Sequence, residues 1–336
     1  MKTIDYIFID NNLQIPKYKQ LVSSIQKAIE SELLQKGDKV DSINTICKAF
    51  SLSRDTVMVA FNELKTRGIL TSIPGKGYYI KSTNINFQEK VFLLFDELNA
   101  FKEDLYNSFM RNLSNKIKVD IYFHHFNRKV FNSLITENTG NYSRYVIMPA
   151  SFQNFYPLFS KLPKNRIYIL DQTKTEFKNK YPGVYQNFEK DIYNALISGN
   201  DLLRKYKKLI LVFPAGKEPK GQLKGFVRYC NDYNWEYEII QNPFNRDIKK
   251  EEVYIAPNDR HLVYLVKEIN KNNLNLGKDV GLISYNDTPL KEIAANGITT
   301  ISTDFEKMGE SLAKLIENKQ TKLIENPSSL IIRNSL

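Results

Sequence analysis

Ile73-Pro74-Gly75-Lys76-Gly77-Tyr78-Tyr79-Ile80 reads as the heart of two short strands, over 69–72 and 78–81, joined by a glycine-tipped turn. Such a turn needs residues that accept φ above zero, and Gly75 and Gly77 supply them beside Pro74. What precedes the hairpin is helical. A first helix is expected from about Lys17 to Leu34, because Tyr18, Leu21, Val22, Ile25, Ile29 and Leu33 recur every three or four positions and share one face. Gly37 beyond it suits the left-handed residue that ends a helix. A second, short helix, about Ser42 to Phe50, is capped by Ser42 and buries Ile43, Ile46, Cys47 and Phe50. Ser53 caps a third, from Arg54 to about Arg67. It points Val57, Phe61 and Leu64 inward and exposes Arg54, Asp55, Thr56 and Met58 in its first turn and a half. Gly68 closes it.

Helix, helix, basic helix and glycine-tipped hairpin is the order of a winged helix-turn-helix DNA reader. The competing reading is an ordinary three-helix domain with a solvated basic face. Helical periodicity alone does not separate the two; the hairpin does. A helix fits the major groove and its N-terminal turn reaches base edges. Arg54 has the fork to grip a guanine or a phosphate. Ser53 and Thr56 suit phosphates together with the free N–H groups of the helix start. A glycine-tipped wing lets backbone and Lys76 approach the narrower groove.

The chain here carries five motifs in order. They are Pro16-Lys17-Tyr18, Gly37-Asp38-Lys39-Val40, Leu52-Ser53-Arg54-Asp55-Thr56-Val57, Leu64-Lys65-Thr66-Arg67-Gly68-Ile69-Leu70 and Gly75-Lys76-Gly77-Tyr78. Together they resemble the DNA-binding domain of the GntR family of bacterial transcriptional regulators. The resemblance implies a DNA-facing set of Ser42, Asn44, Ser53, Arg54, Thr56, Arg67, Gly75, Lys76 and Gly77. That family usually opens its second helix with proline, serine, glutamate and a DNA-contacting arginine. Here Asp41, Ser42, Ile43 and Asn44 stand instead, and Asn44 is suited to adenine or to phosphate.

The chain has 336 residues, enough for two domains, and a net charge of +11. The excess is +4 over residues 1–83 and +7 over the rest, so the charge permits nucleic-acid binding without locating it. Two cysteines, Cys47 and Cys230, fall in different domains, which argues against a disulfide framework and suits a reducing cytoplasm. No apolar run nears the ~20 residues needed to span a bilayer, and no signal-peptide pattern opens the chain. A cytoplasmic protein without a membrane partner is expected.

After a polar linker at 82–89, short apolar strands alternate with helical segments. Strands are expected at Val91–Phe95, Val119–Phe123, Tyr145–Met148, Arg166–Asp171, Lys208–Phe213, Trp235–Ile240, Glu252–Ile255 and Asp279–Ser284. This alternation means parallel sheets covered by helices, in two halves. Ligands of such sheets bind beyond the carboxyl ends of the strands. Just there lie Asp96 and Asn99, Asp171 and Gln172, Lys220 and Gln222, Asn258-Asp259-Arg260, and Asn286-Asp287. Phe101, Tyr106 and Phe188 are available to stack. Carboxylates and amides with aromatic faces suit a polyhydroxylated ligand, whose hydroxyls donate and accept while its C–H side covers a ring. Each of these residues taken singly is as well explained by a helix cap or a solvated loop.

Ala256-Pro257-Asn258-Asp259, Asp279-Val280-Gly281-Leu282-Ile283-Ser284-Tyr285-Asn286-Asp287, Ile298-Thr299-Thr300-Ile301, Met308-Gly309 and Leu330-Ile331-Ile332-Arg333-Asn334-Ser335 are similar to the effector domain of the LacI family. That domain is itself similar to periplasmic sugar-binding proteins. The resemblance implies that Asp171, Gln222, Asn258, Asp259 and Asn286 face a sugar; Asn99, Phe101, Phe188 and Lys220 complete the expected ligand set. The family usually has an arginine where Gln222 or Lys220 stands, and an aspartate pair where Asn286-Asp287 stands. The fold class expected is an α+β winged helix-turn-helix domain (1–81) followed by an α/β two-lobed periplasmic-binding-protein-like domain (90–336). Lobe 1 takes about 90–187 and 303–320, lobe 2 about 188–302 and 321–336.

No enzyme motif is present. GxxxxGK[ST], GxSxG and HExxH are absent. His124-His125, read on a strand, would point to opposite faces and could not share a metal. The acidic cluster at Lys249–Glu252 reads as a solvated turn. No cofactor, no metal site and no catalytic residue is expected. No heptad seam runs through the chain, so dimerisation falls to the second domain. The two resemblances imply a homodimeric repressor of a sugar-utilisation operon, bound to double-stranded operator DNA and released by a small-molecule effector, a monosaccharide such as fucose or arabinose. Competing readings are the same architecture sensing a non-sugar metabolite, a DNA-binding module fused to a pyridoxal-phosphate enzyme domain, and a structural DNA-binding protein without effector.

Overall fold

The computed structural model describes residues 2–13, 15–85, 89–177, 180–214, 216 and 218–336. Of the linker expected at 82–89, residues 86–88 lie outside the described residues. In chain order the first elements are α1 (Lys17–Glu30), β1 (Lys39–Val40), α2 (Ile43–Phe50), α3 (Arg54–Thr66), β2 (Leu70–Ile73) and β3 (Gly77–Ile80). They form a winged helix-turn-helix. Leu21, Ile25, Ile46, Val57, Phe61 and Leu64 meet in one core with no exposed surface or almost none. At ~1.5–3 kcal/mol per fully buried large side chain, that core outweighs the modest helix propensities of the segment. Its sheet runs β1-β3-β2, antiparallel, with Ile73 facing Gly77 across the wing. The turn holds Gly75 at φ 71° and Gly77 at φ 109°, the left-handed region that glycine enters without strain.

The first helix stops earlier than its periodicity suggests. Glu32 takes φ 57°, and the Leu33 N–H donates to the Ala28 carbonyl at 2.9 Å, closing the helix. Leu34 then folds back into the core and leaves Leu33 exposed.

Beyond the hairpin, strands and helices alternate as expected. The elements are β4 (Glu89–Phe95), α4 (Ala100–Asn112), β5 (Ile117–Phe123), α5 (Arg128–Glu137), β6 (Arg144–Ile147), α6 (Tyr156–Phe159), β7 (Ile167–Asp171), β8 (Gly183–Tyr185) and α7 (Phe188–Ser198). There follow α8 (Asn200–Leu203), β9 (Lys208–Val212), α9 (Lys220–Asp232), β10 (Glu236–Ile240), β11 (Glu252–Ala256) and α10 (Asp259–Lys271). The chain ends with β12 (Gly281–Tyr285), α11 (Pro289–Ile293), β13 (Thr299–Thr303), α12 (Phe305–Glu317), β14 (Leu323–Glu325) and β15 (Ser328–Ile331).

These elements fall into two compact units. One holds the chain up to Phe95 with Ser114–Ile147 and Asn154–Ile167. In it the winged module shares a body with the parallel strands β5, β4 and β6. The end of α3 is tied to that body. Thr66 Oγ1 lies 2.8 Å from the Gly140 carbonyl, and Arg166 donates to Thr66 Oγ1 at 3.2 Å and pairs closely with Glu63. Burial pushes the Glu63 carboxyl up, but Arg166 and Arg67 outweigh burial and hold it below the ordinary range.

The other unit holds Asp96–Leu113, Met148–Gln153 and everything from Tyr168 onward. In it β7, β8 and β14 pair in parallel. A second sheet runs β10-β9-β11-β12-β13-β15, parallel except for β15. Two glycines set helix spacing. A Cβ on Gly225 would lie 2.1 Å from the Glu189 carbonyl oxygen, so α9 packs backbone to backbone on α7. Gly309 does the same for α12 on α4. Because β14 pairs with β8, the chain enters the second sheet only after Glu325, later than the residue-321 boundary the sequence suggests.

Three local readings need correction. His124 and His125 lie past the end of β5 rather than on it; His124 is buried against Phe131, and His125 takes φ 47°. Among the described residues no cluster could hold a metal ion. Glu252 is not in a solvated turn. It opens β11, buried, and accepts from Arg246 at 2.8 Å and Tyr254 at 2.6 Å. Cys47 is only half-buried, whereas burial pushes the Cys230 thiol up to about 12; both are free.

Candidate functional site

The residues expected to face DNA gather at two helix starts and the wing. Ser42 Oγ accepts from the Thr45 N–H at 3.1 Å and Ser53 Oγ from the Thr56 N–H at 3.2 Å, so each serine caps its helix. Ser53 and Thr56 also share a hydroxyl bond of 2.8 Å. Between the helices Arg54 Nη1 donates to Asn44 Oδ1 at 2.9 Å, and both side chains are exposed. That bond holds the guanidinium over the start of α3 and leaves its remaining donors outward. Gly75 and Lys76 are exposed at the wing tip, with Gly77 half-buried behind them. Arg67 differs from its neighbours: its guanidinium turns back to Glu63 and to Gln26 at 3.0 Å. Arg67 thus has an intramolecular role in closing α3 onto α1.

The expected ligand residues all lie in the second compact unit. At the ends of β7 and β12, Asp171 takes φ 69° and Asn286 φ 58°. Aspartate and asparagine tolerate this conformation better than other residues with a Cβ, and such backbone strain clusters at functional sites. Asp171 is buried beside the close ion pair of Asp96 with Lys102 and accepts from Gln186 Nε2 at 2.5 Å. Burial pushes Asp171 up to about 6, with Lys102 pulling down and Asp96 pushing up.

Phe188 opens α7, and its Cβ lies 3.0 Å from where a Gly221 Cβ would stand. Next to Gly221, Gln222 is buried on the first turns of α9, while Lys220 is exposed.

Several expected ligand residues are already engaged. Asn99 caps α4 by accepting from the Lys102 N–H at 3.2 Å, and Asn258 caps α10 by accepting from Arg260 at 2.9 Å. Phe101 packs on Phe305, ring centroids 4.8 Å apart. Asp259 pairs at 2.9 Å with buried Lys291, whose ammonium also donates to the carbonyls of Tyr285 and Asn286. Burial lowers Lys291, with Asp259 opposing it. Asp259 itself is exposed and Lys291 keeps its two carbonyl acceptors, so Asp259→Ala is expected to cost up to about 1 kcal/mol. Urea unfolding of the ligand-free protein checks this, and an unchanged midpoint would show the pair to be idle. Asp287 is held likewise by a two-pronged bond from Arg333, at 2.6 and 2.8 Å.

Sequence reasoning passed over Asp191 and Tyr285. Both are buried, and each keeps a polar atom with no hydrogen-bond partner, as does Gln222. Asp191 lies in the first turn of α7 and Tyr285 at the end of β12.

Residues 17–80 match the profile of the bacterial regulatory proteins, gntR family, and residues 222–336 that of the periplasmic binding protein-like domain. An uncharacterised helix-turn-helix regulator of Bacillus subtilis, YcxD, is 36% identical over 64 residues, 19% of this chain and 14% of its own length. The mannosyl-D-glycerate transport/metabolism system repressor of Escherichia coli is 33% identical over 24% of this chain and 34% of its own. The chain thus spans about a third or less of those two relatives. An arabinose metabolism transcriptional repressor of Geobacillus stearothermophilus is 22% identical over 96% of this chain and 98% of its own. Among solved structures, the trehalose repressor of Escherichia coli superposes with a TM-score of 0.62 at 11% identity, covering 73% of this chain and 100% of that one. A LacI-family regulator of Arthrobacter in complex with lactose gives 0.59 at 12%, covering 74% and 99%. Capped helices, exposed Arg54 and glycine wing agree with the first profile, and a second sheet that is parallel except for β15 agrees with the second. Residues 17–80 are a DNA-binding domain of the gntR family, joined in one chain to a periplasmic-binding-protein-like domain with the fold of LacI-family repressors.

Proposed function

We propose that this protein is a cytoplasmic transcriptional repressor that binds operator DNA as a homodimer and lets go when a sugar occupies its C-terminal domain. The observation that carries this reading is the union, in one chain, of an exposed Arg54–Asn44 pair at the start of α3 with Asp171 and Asn286 strained at two strand ends. A two-fold dimer would place one α3 and one wing in each half-site. A ligand that moves either module out of register forfeits contacts worth about 1–3 kcal/mol each, so a small displacement is enough to release the operator. The full-length relative described as an arabinose repressor makes L-arabinose the first sugar to try.

The test is a selection of genomic fragments on the purified full chain, followed by anisotropy titration of the selected fragment with and without L-arabinose, L-fucose, D-ribose and D-galactose. Recovery of a two-fold repeat whose binding weakens with one sugar is the expected result. Recovery of no preferred sequence overturns the repressor reading, and a preferred sequence indifferent to every sugar overturns the sugar.

The wing carries its own expectation. Lys76→Ala should lower affinity for all sequences alike and reduce the salt slope by about one per wing. A loss confined to one base pair would contradict a phosphate role for Lys76.

A further inference from the structure

Among the described residues the chain passes three times between the sheet that holds β8 and β14 and the second sheet: after β8, after β13 and after β14. All three crossings meet at Asn326. Its backbone N–H donates to the Tyr185 carbonyl at 2.8 Å, at the first crossing. Its Nδ2 donates to Thr303 Oγ1 at 2.9 Å and to the Asp304 carbonyl at 2.7 Å, at the second. Its chain neighbours each reach one other crossing. Glu325 accepts from the Tyr185 hydroxyl at 3.2 Å and from Asn187 Nδ2 at 3.0 Å. The Pro327 carbonyl accepts from the Asp304 N–H and from Thr303 Oγ1, both at 3.0 Å. Asn326 is 2% exposed, and its Oδ1 has no partner. A residue kept only to fill this space would be apolar, because an orphaned buried acceptor is costly. The amide is there for its two donors. Beside it the segments 302–304 and 327–329 line a cavity of about 280 Å³, which leaves the second and third crossings room to shift that a close-packed core would deny them.

We propose that Asn326 is a positioning residue that pins the three crossings together, so that they turn as one body when the C-terminal domain binds its effector. The inference rests on the effector-domain reading above and adds to it the residue through which occupancy becomes movement. Crossings that flex independently absorb a ligand-driven displacement locally. Crossings tied at one point pass it on as a single rotation, and two sites are coupled only through an element that moves between defined arrangements. Rotation moves atoms near its axis least, so the bonds of Asn326 hold in both arrangements while the cavity takes up the shift of Ser302 and Ser328. The second crossing leads straight into α12, which packs on α4 through Gly309, so whatever turns at Asn326 carries that helix pair with it.

Two measurements on the full chain test this. Hydrogen exchange read by mass spectrometry needs no ligand. Asn326→Leu keeps the branched shape and removes the donors. Exchange over 303–305 and 326–328 should then quicken about tenfold, the worth of a lost buried bond, while β11 and β12 exchange as in the wild type. Thr303→Val removes one partner of the amide and should quicken the same segments less; it also carries the test if Asn326→Leu does not fold. Unchanged exchange at the crossings in both variants, or equal quickening throughout the second sheet, overturns the pin. Anisotropy on the selected operator then compares release by L-arabinose, L-fucose, D-ribose and D-galactose, with calorimetry for binding of the same sugars. For a sugar that releases the wild type, Asn326→Leu should bind it within about twofold, yet the drop in operator affinity that it causes should shrink about tenfold. Full release by a variant whose crossings have loosened overturns the proposal. If the crossings loosen but no sugar releases the wild type, the sugar reading falls and the pin stands.

Discussion

Arg54→Ala should cost the proposed dimer about 2–6 kcal/mol of operator affinity, since a bidentate base contact is worth about 1–3 kcal/mol and each half-site loses one. In anisotropy that is a loss of at least thirtyfold on the selected operator, with thermal unfolding unmoved because Arg54 is exposed and outside the core. Arg54→Lys should not rescue it. An ammonium cannot span two acceptors while also bonding Asn44 Oδ1, which Arg54 Nη1 reaches at 2.9 Å. Asn44→Ala should give a smaller loss, by freeing the guanidinium to wander. Undiminished binding by Arg54→Ala would remove α3 from the groove.

Asp191→Asn should stabilise the ligand-free protein at pH 8 by about 2–4 kcal/mol. The carboxyl is buried on α7, with Glu325 and Lys190 near it, Tyr285 and Tyr185 facing it, and the Asn187 backbone bonded to it. Its folded value of about 7 stands above the usual 3.8, so the folded state holds a proton that the unfolded chain has already released. Stability is then highest near pH 4 and falls as pH rises towards 7, levelling off beyond it. Asp171, at about 6, tilts the curve the same way. Denaturant midpoints between pH 5 and 8 should decline in the wild type and run flatter in the variant. A wild-type curve that rises over this interval would show Asp191 to be solvated.

The winged module was legible because its determinants are local. Ser42 and Ser53 sit directly before apolar helical stripes, and Gly75 and Gly77 mark a turn that few other residues can make. The alternation of strands was equally plain. What was not legible depends on partners far along the chain. Asn99 and Asn258 have the composition of ligand residues and also cap helices through Oδ1, a use that only the fold reveals. Arg67 reads as a DNA contact until Glu63 and Gln26 are seen around it. Glu252 looked solvated because Arg246 and Tyr254 had not yet been placed beside it. The buried, unpartnered atoms of Asp191 and Tyr285 have no sequence signature at all, since being unpartnered is a property of space.

The bonds from Arg166 and Gly140 to the end of α3 bear on how the protein would measure DNA. A reading head on a free tether accepts half-sites at many separations. This head is bolted at Glu63 and Thr66, and to swing it must break a mostly buried ion pair. The dimer would then act as a ruler. One base pair added between half-sites shifts the second by ~3.4 Å and about a tenth of a turn, and should abolish binding that a tethered head would keep. Genes under its control would be chosen by the spacing of their operators as much as by their letters.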